Sequence, residues 1–417
     1  MFKTLKNAWR VPELRKKIIY TLWMFAIIRL GAHIPVPGVN AGAMEQLMGQ
    51  DNNVLGLLDV VSGGAFKSMA IFAMGVGPYI NASIIMQLLT IAIPKLEELS
   101  KEGEDGRKTI DKYTRYVTLA LASVQSWGMT FSLRNYNILN DTSVWGYSVA
   151  ILSFVAGSML VMWIGEQITE KGLGNGISLI IFINIVSRLP QGAGALMAYN
   201  KPVATVILIL LFLAIIAFVV IMSQGERRIP VQYAKRTTGR RVYGGQSTHI
   251  PIKVNLSGVL PVIFAMSMIQ FPEIITGFFV ANPTGMWAKV ISNLRWTEPF
   301  GAVLYIVLIL FFTFFYSTIA FNPVEVASNM KKSAGFIPGI RPGKPTSDYL
   351  TKIATHITLM GAIFLAIIAT MPVVFSAIFK MQVTFGGTSL LIVVGVALET
   401  VKSLESQMLM RTYKGFL

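Results

Sequence analysis

Long stretches without a charged side chain alternate along this chain with short, strongly charged ones. Ten apolar stretches stand out, at about 18–35, 68–94, 116–133, 142–165, 172–187, 202–225, 254–272, 299–324, 353–379 and 381–398. A helix rises about 1.5 Å per residue, so about 20 residues cross a hydrocarbon core of about 30 Å. The stretch 172–187 is short; Leu189 and Pro190 extend it, and Arg188 at its end can snorkel. Soluble helices carry a polar stripe, whereas 203–222 and 303–315 carry none. The pattern predicts an all-α integral membrane protein with ten transmembrane helices.

Composition agrees. Hydrophobic residues make up 53% of the 417, and charged residues only 13%, against about 25% in soluble domains. The formal net charge is +16, and its distribution sets the topology. With an even number of spans both termini share a side. That side carries 28 of the 36 Lys and Arg residues, the other side seven, and Arg29 lies within the first apolar stretch. The positive-inside rule then predicts both termini in the cytosol. No small-residue cleavage site follows the first apolar stretch, so it is expected to act as its own insertion signal. Cysteine is absent, which excludes disulfides and thiolate chemistry.

Two of the basic loops, 226–253 and 325–352, are far longer than a helix connection requires. Both mix charge with turn residues, as in GERRIPVQYAKRTTGRRVYGGQ and GFIPGIRPGKP. Long, ordered, basic loops suggest docking of a large partner with an anionic surface. Ten spans also divide into five and five, here 1–190 and 191–417. Five is odd, so repeated halves would have inverted topology and enclose a pathway. The stretch 190–202, PQGAGALMAYNKP, is the natural hinge.

Ion-coupled transport needs ionisable groups within the spans, and these are scarce. Arg29 suits a structural partner for backbone carbonyls or lipid headgroups; His356, Glu166, Glu273 and Glu399 sit at span ends as interfacial anchors. No metal ligand set, phosphate loop of the form GxxxxGK[ST] or catalytic constellation is evident, so neither an enzyme nor a cofactor is predicted. The second stretch is unusual. Gly75, Gly77 and Pro78 break or bend it, and Asn81, Ser83 and Gln87 follow with roughly helical spacing. Such groups need partners on another helix, for which Gln125 and Ser126 are candidates. Before it lies NVLGLLDVVSGGAFK, 53–67, apolar but too short to cross. It is either a re-entrant stopper surrounded by protein or a helix lying on the membrane surface.

Several strings together resemble the SecY family. They are GGAFKSMAIFAMGVGPYINASIIMQLL at 63–89, KEGEDGRKTIDKYTRY at 101–116, GNGISLIIF at 174–182, and ERRIPVQYAKR with GGQSTHIPIKVNLSGVLPVIFA within 226–265. The series ends with NPVEVASNMKKSAGFIPGIRPG at 322–343 and GGTSLLIVV at 386–394. The resemblance implies a channel in the bacterial plasma membrane that moves unfolded polypeptides across and releases apolar segments sideways into lipid. It implies two pseudo-symmetric five-helix halves around a ring of aliphatic side chains. Matched position by position, the ring falls on Val76, Ile80, Ile181, Ile185, Ile263 and Ile392. Val76 stands where the family commonly has isoleucine. Branched aliphatics bind no ion, dewet a constriction and deform around a passing chain.

The same resemblance makes 53–67 the plug, with Val54, Leu55, Leu57, Leu58, Val60, Val61, Ser62, Gly63 and Gly64 its named positions. Spans two and seven, with three and eight beside them, become a lateral gate. Asn81, Ser83, Gln87 and Gln125 are the candidates for polar contacts across it. Loops 226–253 and 325–352 match docking surfaces for the ribosome and the motor ATPase SecA, with Arg341, Arg240, Arg241, Arg227 and Arg228 the candidate contacts. Two small membrane proteins, SecE and SecG, are the implied subunits; signal peptides and nascent or precursor polypeptides are the implied cargo. The connection at 188–201 is short for the family. A secondary transporter on the same span count is the competing reading; it requires a midplane ionisable site. A membrane scaffold would have no use for a re-entrant segment.

Overall fold

The computed structural model describes residues 7–44, 59, 62–135, 138–141, 143–197, 202–233, 236–238, 241–243, 247–279, 286–295, 298–379 and 387–414. Among these, thirteen helices dominate. They are α1 (Pro12–Gly31), α2 (Gly77–Ala92), α3 (Pro94–Lys101), α4 (Glu104–Asn135), α5 (Val144–Lys171), α6 (Gly176–Met197) and α7 (Pro202–Gln224). After the first basic loop come α8 (Leu260–Phe279), α9 (Met286–Leu294), α10 (Pro299–Ala320), α11 (Pro323–Lys332), α12 (Lys344–Phe379) and α13 (Gly387–Lys414). Proline opens several of them. Pro12, Pro78, Pro94, Pro299 and Pro323 occupy the first turn, where a missing N–H costs nothing. Side chains cap two, α5 and α11. Ser143 Oγ accepts from Gly146 N at 3.2 Å, and Asn322 Oδ1 accepts from Val324 N and Glu325 N at 3.2 and 3.3 Å.

Each predicted apolar stretch contains a helix. By length and apolarity, four helical segments among the described residues can cross a membrane: Val144–Lys171, Thr205–Gln224, Pro299–Lys332 and Lys344–Met371. A fifth is added if α2 and α3, bent by 101° at Pro94, count as one span. The second stretch differs from its prediction: helix begins only at Gly77. Residues 62–76 run as turns, with Gly63, Gly64, Met69 and Gly75 at positive φ. Their backbone finds partners in the surrounding protein. Val36 N donates to Met69 O at 2.9 Å, Ile71 N donates to Ile34 O at 3.0 Å, and Ser158 Oγ of α5 donates to Gly75 O at 3.3 Å. Non-helical backbone at membrane depth is tolerated under that condition.

The all-α expectation needs a second correction. The basic loops contain strands β1 (Glu226–Tyr233), β2 (Arg236–Thr238), β3 (Arg241–Tyr243), β4 (Ser247–Lys253) and β5 (Gly335–Phe336). Strand β1 pairs antiparallel with β4 in the register Ile229↔Ile250 and Val231↔Thr248, and with β5 through Gln232↔Phe336 and Tyr233↔Gly335. The two loops, about 100 residues apart in sequence, therefore share one three-stranded sheet, ordered β4-β1-β5. Ile229 and Val231 alternate inward on β1 and join Ile252, Met330, Ile337, Leu350 and Ile357 in a core of their own. Pro230 and Pro251 argue against strands in the sequence. They are accommodated because β4 is an edge and β5 covers β1 only at Gln232 and Tyr233.

Candidate functional site

The six ring candidates come from four helices, and all belong to the main apolar core, which runs through most of the described helices. Val76 caps α2 and Ile80 follows one turn later; Ile181 and Ile185 are successive turns of α6; Ile263 lies at the start of α8 and Ile392 on α13. Five are buried, with Val76 and Ile185 each 1% exposed, and Ile263 packs against the same cluster half-buried. The late start of α2 matters here. Gly75 at φ +53° turns the chain into the helix, which places Val76 and Ile80 in the apolar core.

The stretch before the second apolar helix is tied to α1 and α6 through Arg29 and Arg188. Val54, Leu55, Leu57, Leu58, Val60 and Val61 lie outside the described residues. Ser62, Gly63 and Gly64 are described, and the glycines take φ +66° and +95°. A side chain would be strained there and would also collide: a Cβ on Gly63 would fall 2.6 Å from Arg29 and 2.8 Å from Asn184 Oδ1, and one on Gly64 2.7 Å from Arg188. Arg29 donates to Gly63 O at 2.9 Å, so its role as a partner for a backbone carbonyl is the one observed. Arg188 does not snorkel as the sequence predicts. It turns inward, 12% exposed, and forms an ion pair with Asp59, 10% exposed. Arg29, His33, Lys67, Ser68, Ser187 and Arg188 are among the residues lining a cavity of about 280 Å³ at this point.

Helix α8 packs on both α2 and α4, and α10 packs on α8. Across this seam Tyr316 of α10 donates its hydroxyl to Gln87 Oε1 of α2, and its ring lies 5.0 Å from that of Phe264 on α8. Asn81, Ser83 and Gln125 are half-buried and make no side-chain hydrogen bond among the described residues. Ser126, expected to partner the polar groups of α2, instead donates to Met74 Sδ at 3.0 Å, because the chain before Gly77 is not helical and brings Met74 to α4. Tyr316→Phe removes one interhelical hydrogen bond, worth about 0.6 kcal/mol. It is expected to raise the separated population of α2 and α10 about threefold, read from spin-label distances between the two helices.

Arg341 is exposed at the tip of the second basic loop, and its carbonyl accepts from Thr346 Oγ1 at 2.8 Å. Arg227 is exposed on β1; Arg228 is held to Glu226 at 2.7 Å, which pulls the Glu226 carboxyl below its ordinary range. Arg241 falls on β3. Arg240 lies outside the described residues. Of the span-end groups, Glu166 pairs with Arg115 at 2.8 Å, joining α4 to α5 and holding the guanidinium above its ordinary value. His356 and Glu399 are exposed. Sequence reasoning missed Asp59 and Tyr316. A lone carboxylate in an apolar segment was the available signal for Asp59; Tyr316, among aromatic neighbours, offered none.

Helices packed around one apolar core, with a non-helical stretch leading into the second of the long helices, are an arrangement shared with solved channel structures. A solved structure described as a protein conducting channel superposes with a TM-score of 0.65 at 16% identity, covering 97% of each chain. Sec61 in a canine ribosome-channel complex from the endoplasmic reticulum gives 0.61 at 15%, again over 97% of each. Those likenesses define the fold. The SecY family model matches residues 70–401. Chains named Protein translocase subunit SecY from Halalkalibacterium halodurans and Bacillus subtilis are 45% and 44% identical over 433 residues, each covering 100% of both chains. The chain belongs to the SecY family.

Proposed function

We propose that this chain is the channel subunit of a protein translocase, passing unfolded polypeptides through the aliphatic cluster and releasing apolar segments into lipid between α2 and α8. The observation that carries this reading is the likeness, over the whole of both chains, to relatives named Protein translocase subunit SecY; the positions of Val76, Ile80, Ile181, Ile185, Ile263 and Ile392 on four helices of one apolar core are compatible with it.

In this reading ten spans cross the bacterial plasma membrane, in halves 1–190 and 191–417, with both termini and the basic sheet in the cytosol. A signal sequence partitions at the α2–α8 seam. Each buried CH₂ contributes about 0.8 kcal/mol and the seam's hydrogen bond about 0.6, so a few leucines outweigh the polar contact. The re-entrant segment then moves aside. Drive comes from SecA or the ribosome docked on the basic loops, with SecE and SecG as companion subunits; the chain itself is not an enzyme.

The test is reconstitution with SecE in proteoliposomes. With SecA and ATP, a signal-bearing precursor is expected to become protease-protected. Deleting 54–65 is expected to let small ions leak without precursor. Accumulation of a small solute against a gradient, with no precursor ever protected, would replace this reading with the transporter.

A further inference from the structure

We infer that Asp59 and Arg188 are a positioning pair that ties the re-entrant segment to the helix lining the ring. The inference rests on the reading of 53–67 as a stopper. Ile181, Ile185 and Arg188 recur at i, i+4 and i+7 on α6 and so share a face. The helix that supplies two ring residues thus supplies the anchor one turn further on. Asp59 also organises the turn it anchors. Its second carboxylate oxygen accepts from Lys67 N at 2.8 Å, and its carbonyl accepts from Gly64 N at 2.8 Å and Ser62 Oγ at 3.1 Å. Position 59 therefore holds both ends of the 59–67 turn and the turn's contact with α6.

Separating this pair is unfavourable for a specific reason. Both side chains are about nine-tenths buried, and a buried charge that loses its partner is far costlier than the pair was favourable. Arg29, on α1, lines the same cavity, so withdrawing Asp59 leaves Arg188 beside a like charge. Gly63 and Gly64 set the segment so close to Asn184, Arg29 and Arg188 that it cannot slide along α6 while keeping its contacts. The segment has two low-cost states: seated with the pair intact, or displaced with water or another carboxylate at Arg188. The pair makes the seat discrete, and release of the segment is coupled to movement of α6.

The experiment measures ion efflux from proteoliposomes holding the assembled complex without precursor. Asp59→Asn and Arg188→Gln are each expected to raise idle efflux about tenfold, with Arg188→Lys between them and the parent. The chain has no cysteine, so a double variant, Asp59→Cys with Arg188→Cys, can be bridged specifically by a short, reducible thiol cross-linker. It is expected to leak when uncross-linked, to seal when cross-linked and to leak again on reduction. That variant decides the matter if a single substitution prevents assembly. Parental efflux in the single variants, or a cross-linked form that leaks like the uncross-linked one, overturns the pair while deletion of 54–65 still leaks. If the deletion does not leak either, the stopper reading falls and takes this inference with it.

Discussion

Arg341→Glu is expected to lower SecA-driven precursor protection at least tenfold without lowering the stability of the protein. The side chain is exposed, and among the described residues it makes no ion pair. The fold around it does not depend on its charge: Gly339 and Gly343, at φ +84° and +105°, shape the tip, and Thr346, 1% exposed, bonds to the Arg341 carbonyl rather than the guanidinium. Under the proposed function, reversal puts a carboxylate where an anionic partner surface would dock. Loss of a charge-assisted contact together with new like-charge repulsion costs about 2–5 kcal/mol at an interface, so tenfold is the lower end. Because β5 joins the two basic loops, the tip is carried on the same sheet as Arg227 and Arg228. Val231→Asp, which buries a charge in that shared core, should therefore weaken docking through both loops. Arg341→Glu should act locally, with an unchanged melting curve and a weaker dependence of docking on salt.

Gly157→Val is expected to destabilise the protein by about 3 kcal/mol or more and to abolish assembly. Helix α5 touches the non-helical path of 62–76 at this residue: a Cβ there would lie 1.8 Å from Ile71 O. The neighbour is backbone. It cannot rotate away, and Ile71 N is already committed to Ile34 O. Relief requires moving either α5 or the path that places Val76 and Ile80, so the lesion reaches the ring candidates although Gly157 is not among them. Gly77→Ala is the control. A methyl group there would meet nothing within 4 Å, and the backbone has an ordinary φ, so this variant should leave unfolding in detergent and translocation unchanged.

Those two glycines show where sequence reading stops. Gly75, Gly77 and Pro78 are legible as an interruption, because proline and glycine act on their own backbone. Gly157 sits in an apolar run that looks like any other, and its role depends on the carbonyl of Ile71, far away in the chain. Asp59 and Arg188, 129 residues apart, are likewise visible in the sequence only as an isolated acid and an end-of-span base. Tyr316 is unreadable as a partner of Gln87 for the same reason: helical periodicity shows which face is polar, not which helix that face meets. The strands in the basic loops escape sequence reading because Pro230 and Pro251 speak against a ladder, and only the limited reach of β5 makes them acceptable. The ring candidates are chemically indistinguishable from any buried aliphatic. Resemblance to the SecY family singles them out; in the fold they share the main apolar core with many other aliphatics.

By itself the sequence determined the solvent, the helical stretches and the absence of thiol chemistry, and it sets the expectation for which side carries the positive charge. Each of these depends on local composition and period, which lipid and the positive-inside rule read directly. Tertiary structure alone decided where the second helix starts, that Asp59 pairs with Arg188, which polar group bridges the seam, and that two distant loops form one sheet. Each of those depends on distances between segments far apart in the chain, which no local pattern encodes.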